Sequence, residues 1–184
     1  MAANLPTPSD LPAIAAFDEA VDAWCRDHRH PLADRVLYGL GSAADHSLLW
    51  NALIAARGVL AGDPASVVRG ATVLGIESAL TNGALKALFR RARPEVEGTE
   101  PLPMGMRRPV TSSFPSGHAT AAFTAAVILA PDARRPAIWY ALAATVAASR
   151  VYTRMHHASD VLAGAALGLA FGAIARRALP LRRR

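Results

Sequence analysis

The sequence predicts an all-α fold, a multi-helix transmembrane bundle of about five spanning helices with an amphipathic helix at its N-terminus. Three observations predict it. Hydrophobic residues make up 52% of the 184-residue chain, a high share for a soluble domain of this size. Aromatics account for only 6%, and alanine and leucine supply much of the apolar content, which favours helices over strands. The apolar residues also come in successive stretches, and the arginines gather at the ends of those stretches rather than along one polar face.

The net charge of +6 is almost wholly arginine, with Lys86 as the single lysine. Such an excess suits nucleic acid, anionic lipid or a phosphorylated substrate. Its placement beside apolar stretches favours a membrane and excludes a nucleic-acid partner. Cys25 is the only cysteine, so neither an internal disulfide nor a cysteine-based metal site is possible. Residues 1–10 carry no basic n-region and no apolar core, so a cleavable signal peptide is not expected and the helices themselves must direct insertion.

The elements follow in order. Ser9 or Asp10 serves as N-cap for a helix over Leu11 to His30, in which Ile14, Phe17, Val21 and Trp24 recur at helical spacing opposite Asp18, Glu19, Asp22 and Arg26. It is too polar to span a bilayer, and it can either pack on the bundle or lie among headgroups. Pro31 stops it, and a short helix from Leu32 to Leu40 leads to Gly41. Apolar stretches follow at Ser47–Ala61, Val67–Phe89, Ala119–Ala130, Ala137–Ala148 and Val161–Ala175. Several are shorter than the ~20 residues that cross hydrocarbon unaided, so flanking polar residues are expected to extend them. Gly164, Ala165, Gly168 and Gly172 recur at spacings of about four, the pattern of close helix contact. Inside the second stretch, Glu77 is expected to pair with Arg57 or Arg69. The expected organisation is residues 1–45 as interfacial helices, 46–178 as the bundle and 179–184 as a basic tail.

Three clusters carry the chemistry. Lys86 and Arg93 are seven residues apart, close to two helical turns, which on a helix puts both on one face about 10 Å apart, with Pro94 ending the helix. Arg90 and Arg91 read as interface anchors. In Phe114–Thr120, Ser116 is a good N-cap and Gly117 permits close approach, so the helix start offers backbone N–H groups to an anion, with His118 in its first turn. In Ser149–Asp160, Arg150 ends one apolar stretch. On a helix His156 and Asp160 share a face, the carboxylate accepting from one imidazole nitrogen and leaving the other lone pair outward. Up-and-down helices put all three clusters at one end of the bundle.

Lys86-x6-Arg93-Pro94, Pro115-Ser116-Gly117-His118 and Ser149-Arg150-x5-His156-x3-Asp160 together resemble the three-part signature of the type 2 phosphatidic acid phosphatase family, whose superfamily includes vanadium haloperoxidases. The resemblance runs from about Ser47 to the end of the last helix. It implies that His156 is the nucleophile that takes the phosphoryl group, Asp160 the carboxylate that orients it, and His118 the general acid. It implies that Lys86, Arg93, Arg150, Ser116 and the Gly117 N–H hold phosphate oxygens. Two arginines and a lysine supply charge that other phosphatases draw from metals, so neither metal nor other cofactor is expected. His157 matches no required position, and Arg154 lies outside the signature, free to contact a headgroup. The implied activity is hydrolysis of a lipid phosphate by an integral protein of the bacterial plasma membrane.

Small alanine- and arginine-rich members of the family resemble actinobacterial enzymes of polyprenyl-linked phosphates, including decaprenyl-phosphoribose phosphate. The alternatives are a haloperoxidase-like enzyme, whose known relatives are much longer and soluble, and an inactive lipid-phosphate binder. The Glu95–Ser113 loop, with Met104, Met106, Arg107 and Arg108, suits a lipid entering sideways. Arg69, Arg134, Arg135, Arg176, Arg177 and Arg182 to Arg184 mark the far end as cytoplasmic, which turns the site outward. Oligomeric state is not encoded in any pattern found here.

Overall fold

The computed structural model describes residues 5–95 and 110–180. The described residues form helices and turns without a strand. Helices α1 (Pro12–Asp27), α2 (Pro31–Ala43) and α3 (Leu48–Leu60) come first. Helix α4 (Pro64–Ser78) runs through a π-helical segment, Ala79–Leu85, into the short α5 (Lys86–Leu88). Helices α6 (Gly117–Leu129), α7 (Ala137–Tyr152) and α8 (Ala158–Ala178) complete the chain.

Local chemistry explains most boundaries. Pro12, Pro31 and Pro64 each sit at the first helical position, where the missing N–H costs nothing. Asp63 and Ser116 cap α4 and α6 through their side chains. The cap of α1 is Leu11 rather than Ser9 or Asp10, because Pro8–Asp10 forms a separate 3₁₀ turn closed by Thr7 and Asp10.

Helix α6 is the central post. Ten of its 13 residues are buried, and it packs chiefly on α8 and α7. The glycine row of α8 explains that closeness. A Cβ on Gly164 would lie 2.5 Å from the Ser116 carbonyl oxygen, and one on Gly168 would run into that of Thr120. The core is built largely of alanine around Trp50, Ile54, Leu74 and Val146, with Thr120, Thr124, Ser149 and Thr153 buried among it. Many large apolar side chains point outward instead, including Val59, Leu60, Val68, Ile76, Leu162 and Ile174.

One expectation is not confirmed here and another is overturned. Among the described residues only α8 is long and apolar enough to cross a membrane by length and composition. The others fall short of ~20 residues or lack the apolarity, so five spans are not read from the helices themselves. Glu77 does not pair with an arginine. Arg57 Nη1 donates to the Leu129 carbonyl oxygen at 2.7 Å, while Arg69 contacts Asp63 and the Pro180 carbonyl oxygen. Glu77 is buried with both oxygens lacking a hydrogen-bond partner among the described residues.

Helix α1 packs on the bundle with Asp18 and Asp22 inward and Glu19 outward. Asp18 is buried, while Leu11, Phe17 and Trp24 are exposed. The pattern told where the two faces lie, but not which one the bundle would take.

Candidate active site

Each of the three clusters reaches the same end of the bundle. The first arrives as a strand-like segment rather than a helix face. Helix α5 stops at Leu88, where Phe89 turns extended (φ −121°, ψ 141°), so Lys86 lies on the helix and Arg93 beyond it. Arg93 is placed by tertiary contacts: its Nη1 donates to the Met155 carbonyl oxygen at 2.5 Å and lies 3.3 Å from His156 Nε2. A cavity of about 810 Å³ opens alongside, lined by Lys86, Phe89, Arg90, Arg93, Thr111 and Ser112.

The second cluster is the capped start of α6. Ser116 is extended and buried, its Oγ accepting from the Ala119 N–H at 3.5 Å. Its own N–H donates to the Asp160 carbonyl oxygen at 3.0 Å, joining this turn to α8. Gly117 lets the chain approach closely: a Cβ there would lie 2.5 Å from Asn82 Oδ1 and would displace that side chain. His118 Nε2 lies 2.9 Å from Asp45 Oδ1 and 3.3 Å from the Gly41 carbonyl oxygen. Both neighbours are acceptors, so that nitrogen carries the proton. Asp45 is held up to His118 by the tight turn between α2 and α3, in which His46 (φ 52°) and Ser47 (φ 60°) are left-handed.

The third cluster differs from its expected form. His156 precedes α8, in the turn after α7, and only Asp160 is on the helix. Their contact is therefore made by the turn rather than by helical spacing. His156 Nδ1 lies 2.8 Å from the Ser113 carbonyl oxygen and 3.6 Å from Asp160 Oδ2. The nearer partner is the hydrogen-bond acceptor, and the second distance is long for such a bond. Nδ1 therefore carries the proton, and the Nε2 lone pair faces Arg93. Burial pulls the pKa of His156 down to about 3, against the opposing influence of Asp160, so the ring is neutral at ordinary pH. Asp160 Oδ2 accepts from the His157 N–H at 2.9 Å, a helix-capping contact. His157 itself reaches only the Ala92 carbonyl oxygen, at 3.3 Å.

Arg150, at the end of α7, is buried, and its Nε and Nη1 have no hydrogen-bond partner among the described residues. Gly41 makes room for it: a Cβ there would overlap Nη1. A buried guanidinium left with unused donors is expensive unless an anion comes to it.

Sequence reasoning missed several residues at this end. Arg91 is no interface anchor: it is buried against Asp18 and Asp160, whereas Arg90 is exposed. Arg154 is not free for a headgroup, since its Nε and Nη2 donate to Asp22 Oδ1 and Oδ2 at 2.6 and 2.9 Å. Asp45 faces His118. The i, i+4 pair Asp18 and Asp22 was visible on the acidic face of α1, but nothing local named their partners. The Glu95–Ser113 loop is described only at Glu95 and 110–113, so Met104, Met106, Arg107 and Arg108 lie outside the described residues, as do Arg182 to Arg184.

Known proteins share this chain's sequence pattern and fold. A family model described as PAP2 superfamily matches residues 67–184, more than half of the chain. The chain is 36% identical over 90 residues to a decaprenylphosphoryl-5-phosphoribose phosphatase of Mycobacterium tuberculosis, covering 49% of each chain. It is 34% identical over 125 residues to the protein of that name in Mycolicibacterium smegmatis, covering 68% of this chain and 67% of that one. The chain thus spans from about half to two thirds of the length of these relatives. The fold superimposes with a TM-score of 0.72 on the crystal structure of a transmembrane PAP2 type phosphatidylglycerolphosphate phosphatase from Bacillus subtilis, at 26% identity, covering 94% of this chain and 90% of that one. With the three clusters at one end of such a bundle and the family model spanning all of them, the chain belongs to the PAP2 superfamily.

Proposed function

We propose that this protein is a membrane lipid-phosphate phosphatase that works through a phosphohistidine intermediate without a metal. The observation that carries the reading is a buried Arg150 with unused donors at the same end of the bundle as the His156 Nε2 lone pair, which faces Arg93. Arg150 brings unused donors, Arg93 lies against His156 Nε2, and the capped start of α6 completes the surround. Lys86 lines the cavity that leads there.

In the proposed reaction His156 Nε2 attacks phosphorus. A P–N bond forms as the P–O bond to the leaving group breaks. His118, acting as the imidazolium, gives its Nε2 proton to the departing oxygen and becomes neutral, yielding an alcohol or, from a pyrophosphate, a phosphate. Water then attacks phosphorus, the P–N bond breaks, and His118 recovers a proton from that water. Asp160 steadies the Nδ1–H side of His156 while the ring bears positive charge. Lys86, Arg93, Arg150, Ser116 and the Gly117 N–H hold the equatorial oxygens, which is most of what phosphoryl transfer asks of a protein.

A lipid substrate is supported by the outward apolar side chains of the bundle and by a second cavity. This one, of about 660 Å³, is lined by polar His46, Ser47, Asn51 and Asn82 together with apolar Ala71 and Leu74. Its lining residues His46 and Ser47 follow Asp45 in the chain, which supports a leaving group departing on that side. A polyprenyl-linked sugar phosphate such as decaprenylphosphoryl phosphoribose suits that sequence of polar then apolar, as the names of the mycobacterial relatives suggest. The short helices reach across the bilayer with their polar flanks, about five of them, and residues 5–45 brace the site end. The site faces outward from the plasma membrane, because Arg134, Arg135, Arg176 and Arg177 sit at the far end of the bundle.

The test is phosphate release from a panel of glycerolipid and polyprenyl phosphates, with His156→Ala as blank. Release that survives chelator and is inhibited by vanadate supports the reading. Binding without release by the wild type overturns it, and loss of activity with chelator overturns the metal-free mechanism. Cysteines placed at Arg90 and Arg135 report orientation: a membrane-impermeant thiol reagent added outside should label only the first.

A further inference from the structure

One arginine of the Lys86–Pro94 segment takes no part in the reaction just described, yet every nitrogen of its guanidinium is engaged. The Arg91 side chain is 2% exposed, between two carboxylates that are 3% and 0% exposed. Its Nη2 donates to Asp18 Oδ2 at 2.6 Å, and its Nη1 to Asp160 Oδ1 at 2.5 Å and Ser159 Oγ at 2.7 Å. Its Nε donates to Ser9 Oγ at 2.9 Å. A planar fork with each nitrogen assigned fixes the geometry of what it holds.

What it holds is the carboxylate beside His156. Arg91 takes Asp160 Oδ1 and the His157 N–H takes Oδ2, so the carboxylate cannot rotate. Asp18 secures the other side of the fork. Its Oδ1 accepts from the Ser159 N–H at 2.8 Å and its Oδ2 from Ser159 Oγ at 2.6 Å. Helix α1 thereby satisfies one of the free N–H groups at the start of α8, the helix that carries Asp160. Without the guanidinium, two buried carboxylates would face each other, and one would take up a proton. A protonated Asp160 could no longer balance the positive charge on His156 during phosphoryl transfer.

Resting on the phosphatase reading, we propose that Arg91, anchored by Asp18 on α1, is a positioning residue that acts through Asp160 on the nucleophile. Arg91→Lys keeps the charge but cannot make the fork. Asp18→Asn keeps Arg91 and a neutral acceptor, and provides a gentler variant should Arg91→Lys fail to fold. Both are compared with wild type for kcat and KM on a lipid phosphate, alone and combined with Asp160→Asn. Misplacing the nucleophile predicts a kcat loss on the order of 10²-fold for Arg91→Lys, less for Asp18→Asn, with KM within about twofold.

On the Asp160→Asn background both losses should nearly vanish, because the path runs through that carboxylate. A purely structural role would multiply the losses instead, and that outcome overturns the proposal. So does near-wild-type kcat in a folded Arg91→Lys or, if that variant does not fold, in Asp18→Asn. A wild type that releases no phosphate defeats the phosphatase reading, and the positioning role with it. An active wild type beside unaffected variants defeats the positioning role alone.

Discussion

The two histidines at the site end are held in opposite ways. His156 is buried, its Nδ1 tied to a backbone carbonyl, with a carboxylate standing 3.6 Å behind. His118 is partly exposed, and its Nε2 faces Asp45 directly at 2.9 Å. The first is fixed with its Nε2 lone pair toward Arg93, which suits the proposed nucleophile. The second presents a proton on a group that can exchange one partner for another, as an acid must. On the proposed mechanism, one residue type serves two roles according to burial and the nitrogen that is engaged.

The proposed division can be broken by experiment. The largest effect is expected from His156→Ala, which should lower phosphate release on the order of 10⁴-fold or more and abolish the acid-labile phosphoenzyme seen with ³²P-labelled substrate. Turnover near the wild-type rate would end the assignment. His118→Ala should cost roughly 10² to 10⁴-fold with a lipid alcohol as leaving group. With an activated phenolic leaving group the first step needs little acid. A trapped phosphoenzyme should then accumulate, which it would not if His118 only bound phosphate.

Asp45→Asn should act in the same direction but more weakly, by about tenfold. Burial tends to raise the Asp45 carboxyl, but its hydrogen bond with His118 and the charges of His118 and Arg150 outweigh this, leaving its pKa below the ordinary value. The carboxylate is thus ionised wherever His118 is to act. An equal loss with lipid and phenolic leaving groups would separate Asp45 from the acid.

The smallest effect concerns pH. The folded-state pKa of His156 is lowered to about 3 from an ordinary 6.5, so between these values the unfolded chain binds a proton that the folded chain does not. Stability attributable to this residue is therefore complete above about pH 6.5 and declines as pH falls toward 3. Melting temperature in detergent should drop through that window, and His156→Asn should flatten the slope. An unchanged slope would mean that His156 is already charged in the folded state.

Much of the site was legible in the chain. The Ser116 cap, the glycine row of α8 and the order of the three clusters depend on residues close in sequence, and the bundle places them as the pattern implies. Other expectations failed for a common reason. The helical spacing of Lys86 and Arg93 ignored the end of α5 at Leu88, and that of His156 and Asp160 ignored the turn before α8. Two residues seven or four apart share a face only if the backbone between them stays helical.

What the sequence determined by itself was therefore the order of the helices, the Ser116 cap, and the charged and imidazole groups delivered to one end. Each is encoded by periodicity or capping within a turn or two. The tertiary structure alone decided which carboxylate meets which base. Arg91 finds Asp160 and Asp18 at 69 and 73 residues' separation, and Arg154 finds Asp22 at 132. Burial made those choices: a guanidinium removed from water must find its anions wherever packing brings them, and here packing brought the acidic face of α1.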